Sequence, residues 1–181
     1  MSYDPDIHHR RSVRLQEYDY SQDGFYFVTI CVHDRLPLFG EIVDGEMLLN
    51  DAGRMVERWY AETECAFPNI NCLEMIIMPN HFHCIWRIVG ADLCVCPENG
   101  GDVLSGGHTG PPLHTVVQWF KTMTTNAYIR GVKQCGWPPF NIRLWQRNYY
   151  EHIIRNQRSY EEISCYILDN PMHWPDDQLY V

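Results

Sequence analysis

The chain lacks several features that would settle its class at once. Among its 181 residues no apolar run approaches the roughly 20 that a membrane helix needs. The N-terminal stretch MSYDPDIHHRRSVRL has no apolar core of the kind a secretory signal carries, so a soluble, cytoplasmic protein is expected. No segment repeats, which sets solenoids and propellers aside. Basic residues are scarce: 14 Lys and Arg face 23 Asp and Glu, for a net charge of −9. That balance argues against strong non-specific binding to duplex nucleic acid, whose phosphates demand cations. The charge is uneven, however. HHRRSVR near the N-terminus is basic, as is the set Arg143, Arg147, Arg155 and Arg158, while acids gather at 41–64 and 161–177. A local basic patch can still hold a short single strand.

Cysteine is not scarce, but a cysteine framework is. Eight cysteines are scattered, mostly through apolar stretches, with no export signal, and they read as reduced, buried thiols. The tight pair Cys94-Val95-Cys96, with His108 and His114 downstream, is the one place for a zinc knot, and its spacing matches no standard pattern.

What is present is a globular composition, 45% hydrophobic and 20% charged, at a length that suits one domain over residues 1–181. GFYFVTICVHD (24–34) is aromatic and β-branched and reads as a strand. FGEIVDGEMLLN (39–50) carries the hairpin signal Asp44-Gly45 between two short strands. NDAGRMVERWYAETECAF (50–67) reads as a helix capped by Asn50, with Met55, Val56, Trp59 and Tyr60 at helical spacing. NINCLEMIIM (69–78) and HFHCIWRIV (81–89) are strands joined at Pro79-Asn80. Residues 90–112 are rich in Gly and Pro, aperiodic, and expected to form a long surface loop. Val116, Val117, Phe120, Met123 and Ala127 mark a helix over 113–133. RLWQRNYYEHIIRN follows as part strand, part turn or helix. A last helix is framed by Ser159 and Glu162 as a capping box and stopped by Pro171. The order suggests an α+β fold, an antiparallel sheet with helices on one face.

The run MIIMPNHFHCIWRI is interrupted by two imidazoles. Side chains alternate along a strand, so His81 and His83 project from one face and Phe82 from the other. Such a pair is a half-site for a divalent metal. It is equally two satisfied polar residues at a strand end, where their removal is expected to cost the core little. In the last helix Ile163, Tyr166, Ile167 and Asn170 share one stripe that must face the body. Tyr166 and Asn170 lie one turn apart on it, and a polar amide on such a face is unusual.

Met78-Pro79-Asn80-His81-Phe82-His83 closely resembles the HUH motif of single-tyrosine nucleases. RRSVRLQEYDYSQDGFYFVTICVHDRLPLFGEI, LWQRNYYEHIIRN and YILDNPMHW extend the likeness over nearly the whole chain, to the REP-associated tyrosine transposases, relatives of the transposases of small single-strand insertion sequences. The resemblance implies a ferredoxin-like antiparallel sheet, the HUH nuclease fold. It implies a metal-dependent single-stranded DNA endonuclease and strand transferase acting on hairpin DNA through a 5′-phosphotyrosine intermediate. A hairpin-binding protein without cleavage activity is the alternative. Tyr166 matches the family's nucleophile, and Asn170 the position of a Gln that completes the metal site with His81 and His83. Asn is one methylene shorter than that Gln. The metal would be Mg²⁺ or Mn²⁺. Arg10, Arg11 and Arg14, in a basic arm at about 8–14, are expected to contact the hairpin backbone. Arg147, Tyr149, Tyr150, His152 and Arg155 form a second DNA-binding candidate, in which Tyr149 and Tyr150 are rival nucleophiles. The resemblance leaves monomer and homodimer both open.

Overall fold

The computed structural model describes residues 19–90 and 111–180. The chain runs β1 (Gly24–Cys31), β2 (Gly40–Val43), β3 (Glu46–Leu49), α1 (Asp51–Ala66), β4 (Ile70–Met78), β5 (His81–Ile88), α2 (Leu113–Cys135), β6 (Tyr150–Ile154) and α3 (Gln157–Asp169). Short 3₁₀ turns occupy His33–Arg35 and Asn170–Asp176. Four strands form an antiparallel sheet in the order β4-β5-β1-β6. Helix α1 links β1 to β4 and α2 links β5 to β6. This is the split β-α-β arrangement of a ferredoxin-like sheet, the expected class. The hairpin β2-β3 stands apart as its own ribbon. Its turn places both Asp44 (φ 52°) and Gly45 (φ 80°) in the left-handed region, as a tight two-residue hairpin requires.

The sheet divides the apolar residues by parity. Tyr26, Val28 and Ile30 of β1 and Phe82, Cys84, Trp86 and Ile88 of β5 face α1 and α2, where they meet Val56, Tyr60, Val116 and Phe120 in the main core. Asn50 caps α1, accepting from the Gly53 N–H at 2.9 Å. Helix α2 closes on Trp137, which packs so tightly on Gly131 that a Cβ there would lie 2.2 Å from the indole. The two long helices thus cover one face, as expected. The short α3 lies across the other, where Ile167 joins Phe27, Ile85 and Ile154 in a smaller cluster. Strand β4 carries a bulge between Cys72 and Met75. The Tyr160 hydroxyl of α3 donates to the Glu74 carboxylate at 2.7 Å.

Three expectations are corrected. The cap of α3 is Asn156, which accepts from the Ser159 N–H at 2.9 Å, and not a Ser159–Glu162 box. Glu162 instead pairs with Arg158 one turn earlier, at 2.8 Å. Strand β1 ends at Cys31, because Asp34 and Arg35 take positive φ in a turn. The described cysteines are free, yet only Cys84 is buried, and Cys65, Cys135 and Cys165 are exposed. The proposed loop over 90–112 falls almost wholly outside the described residues, as do Cys94, Cys96 and His108. Among the described residues no helix is long and apolar enough to cross a membrane.

Candidate active site

The cluster of Phe27, Ile85 and Ile167 continues, along the same face of the sheet, into the two histidines. His81 pairs across to Cys31 and His83 to Thr29, so both imidazoles rise toward α3 with ring centroids 4.5 Å apart. Neither is a surface group: His81 is 0% and His83 2% exposed. Each is held by its Nδ1. The Asn80 amide donates to the Leu179 carbonyl at 2.8 Å, which turns its Oδ1 toward His81 Nδ1, also at 2.8 Å. An amide oxygen only accepts, so His81 carries its proton on Nδ1 and its Nε2 presents a lone pair. That Nε2 is buried and has no partner. Thr29 Oγ1 lies 2.7 Å from His83 Nδ1 and leaves the His83 Nε2 facing the site. Hydrogen bonds of this kind orient ligating histidines in metal centres.

Burial removes the charge from both rings. It pulls the His81 pKa down to about 4, against a smaller upward pull from the Asp177 carboxylate. His83 lies well below the ordinary range, through burial first and its neighbour His81 second. Both are neutral imidazoles at pH 7, the form that binds metals.

Helix α3 brings two further groups. Tyr166 is 47% exposed at the rim, with its Oη 3.5 Å from His83 Nε2 and its ring edge-on to Phe27, which itself stacks on His83. Its pKa is raised above that of a free phenol, by burial first and by Asp177, while the Asn170 side chain pulls the other way. Asn170 sits one turn on, at the C-terminal cap, and is 3% exposed. Its Oδ1 is buried without a partner. An orphaned buried acceptor costs on the order of 1–3 kcal/mol, and a cation would satisfy it.

Asp177 was not legible from the sequence as part of this group. The 3₁₀ turn Asn170–Asp176 folds the chain back over the histidines, with buried Trp174 5.8 Å from the His81 ring. The ligand atoms of His81, His83 and Asp177 then lie within 4.8 Å of one another, so the three residues can hold a metal ion. Two neutral nitrogens, a carboxylate and a nearby unpartnered amide oxygen suit a divalent cation of the Mg²⁺ or Mn²⁺ kind. The only signal in the sequence was the acidic pair after Pro175, which looks like any solvated turn. Phe27, Tyr150, Tyr166, His173 and Asp177 wall a cleft of about 570 Å³ over His83.

The second DNA-binding candidate divides between surfaces. Tyr150 and His152 pair with Thr29 and Phe27, on the histidine face, and Tyr150 lines the cleft with its ring 6.3 Å from Phe27. Tyr149 turns to the opposite face, beneath the Lys121 ammonium at 5.3 Å. Arg147 lies beside it, and Arg155 lines a separate hollow near the start of α3. Arg10, Arg11 and Arg14 are outside the described residues.

No family model matches the chain. An uncharacterized protein of Haemophilus influenzae is 40% identical over 99% of this chain and 97% of its own length. A REP-associated tyrosine transposase of Escherichia coli is 26% identical over 54% of this chain, a region that spans 41% of that protein. Among solved structures, a REP-associated tyrosine transposase bound to a REP hairpin has the same fold, with a TM-score of 0.54 and 21% identity, covering 88% of this chain and 73% of that one. The chain is thus similar in sequence to REP-associated tyrosine transposases and shares the fold of one of them.

Proposed function

We propose that this chain is a metal-dependent endonuclease and strand transferase for single-stranded DNA, acting beside a REP-like hairpin through a covalent link to Tyr166. The observation that carries the reading is the Tyr166 hydroxyl, open to a cleft and 3.5 Å from the Nε2 of a buried, neutral His83. An isolated phenol is a poor nucleophile at neutral pH and needs local activation. His81, His83 and Asp177 would hold the cation, with Asn170 Oδ1 as a further donor. Bound there, it supplies positive charge against the scissile phosphate and offsets the Asp177 charge that otherwise raises the phenol.

Tyr166 Oη attacks phosphorus as its proton passes to water in the cleft, the P–O3′ bond breaks, and the departing 3′ oxygen of the upstream nucleotide takes up a proton from water. The product is a 5′-phosphotyrosine and a free 3′-hydroxyl. Attack by another 3′-hydroxyl reverses the step and joins the strands, with no outside energy source. Phe27 fixes the swing of the Tyr166 ring by edge contact, and Trp174 walls the site on the side of His81. Tyr150, half exposed across the cleft, offers a ring on which a flanking base can stack. The named relatives support the hairpin substrate, and the acidic total charge supports a single-stranded one. The test is to incubate the protein with a labelled single-stranded hairpin and Mn²⁺ and look for a denaturation-resistant protein–DNA band. The reading predicts a band that EDTA abolishes. Cleavage without any such band would replace the tyrosine by an activated water.

A further inference from the structure

A second surface carries chemistry that the cleft does not use. On the opposite side of the sheet edge, a groove of about 600 Å³ runs between α2 and the segment 140–149. Among the described residues its lining includes His114, Lys121, Arg143 and Arg147, and no Asp or Glu. In a chain of net charge −9 that exclusion of carboxylates is a local reversal of sign. The remaining polar lining, Gln118 and Asn126 among it, is made of neutral donors.

The segment facing α2 is held in an unusual shape. Lys121 Nζ donates to three successive carbonyls, Gln146, Arg147 and Asn148, at 3.0, 3.3 and 3.1 Å. Its ammonium therefore shapes the turn, and the outward charge falls to Arg143 and Arg147. The Arg143 N–H donates to the Asn141 carbonyl across Ile142, which has φ 57°. A γ-turn with positive φ is rare and strained, more so at a β-branched residue. Ile142 is also 86% exposed, so no packing within the described fold compensates for the strain. Strain of this kind is found at ligand sites.

The groove also lies next to the cleft. Strand β6 is the edge of the sheet, and its approach carries Tyr149 into the groove while Tyr150 enters the cleft. The Gln146 N–H donates to Cys31 O at 2.9 Å, and Gln146 lines the groove while Cys31 lines the cleft. A strand leaving the cleft need only cross this edge to reach Arg147 and Arg143.

We propose that this groove binds the sugar–phosphate backbone of the single-stranded DNA that flanks the cleavage site, without reading its bases. Its volume is that of a small-molecule site, which admits a nucleotide or so of one strand and not the side of a duplex. The proposal rests on the nuclease reading for the identity of its ligand, but it is tested apart from cleavage. The probe is a labelled oligothymidylate, which contains no hairpin, titrated against the full chain by fluorescence anisotropy at several salt concentrations. Arg143→Glu and Gln118→Glu should each weaken binding about tenfold or more. Arg143→Gln should flatten the slope of log affinity against log salt by about 0.7, the share of one single-strand phosphate. Arg143→Lys should restore both. Lys133→Glu, which makes the same charge change on α2 outside the groove lining, should leave binding within about twofold. Unchanged binding by the groove variants, equal losses with Lys133→Glu, or equal affinity for a blunt duplex each overturn the proposal. Loss of binding in the groove variants, with no covalent adduct from the wild type on hairpin DNA, would leave the groove standing and remove the nuclease reading instead.

Discussion

His83 stacks on Phe27 and is buried, and His81 is sealed beneath Trp174. Replacing either therefore removes packing as well as a ligand, contrary to the expectation for imidazoles at a strand edge. His83→Ala should cost about 1–3 kcal/mol in urea unfolding and abolish calorimetric binding of Mn²⁺. Retention of wild-type Mn²⁺ affinity by either histidine variant would refute the metal assignment. Thr29→Val tests the orientation of His83 without touching a ligand. It should weaken Mn²⁺ about 10–100-fold while the protein stays folded. Acid sensitivity follows from the same burial. The His81 pKa is lowered from 6.5 to about 4, so the unfolded chain takes up a proton that the folded one refuses. The stability this confers is fully present above about pH 6.5 and lost as the pH falls toward 4, by a few kcal/mol on the order of 3. In metal-free protein the urea midpoint should fall over that window, and by less in His81→Gln. A midpoint that is flat with pH would contradict the burial argument.

Helix α3 is the element that turns a sheet into a site, because it delivers Tyr166 and Asn170 one turn apart. Its start is set by Asn156. Asn156→Ala should cost about 1 kcal/mol and Ser159→Ala clearly less, read from thermal or urea unfolding. The reverse order would restore the Ser159–Glu162 box. The box was a fair reading of spacing alone, but Arg158 takes Glu162 one turn along, and Asn156 reaches the Ser159 N–H first. Elements whose signals are local were legible in advance: the alternation that puts both histidines on one face, the Asp44-Gly45 turn, the Asn50 cap and the apolar stripe of α2. Features that depend on contacts between distant segments were not. The packing of α3 on the face opposite α1 and α2 depends on Ile167 meeting Phe27 and Ile85. Asp177 reaches the histidines only because the chain turns back after Pro171. The division of Tyr149 from Tyr150 followed from strand parity, but only once β6 was known to begin at Tyr150.

At the scale of the whole molecule, a chain of net charge −9 places, among its described residues, the histidine cleft and a groove lined by basic and no acidic side chains on either side of a sheet edge. Such a distribution suits a short single strand next to a hairpin better than a long duplex. Cleavage should fail on perfect duplex of the same sequence, and a gel assay showing equal cutting of both forms would contradict this. Of the three candidate tyrosines, Tyr149 lies on the opposite face and Tyr150 across the cleft, while the Tyr166 hydroxyl stands 3.5 Å from a histidine nitrogen. Tyr166→Phe should keep the ring contact with Phe27, lower stability by no more than about 1 kcal/mol, and stop cleavage while hairpin binding survives. The most direct measurement is mass spectrometry of the protease-digested protein–DNA adduct formed by the wild type on a single-stranded hairpin. The account predicts a nucleotide mass on the peptide containing Tyr166 and its disappearance in Tyr166→Phe; the same mass on Tyr149 or Tyr150 would contradict it.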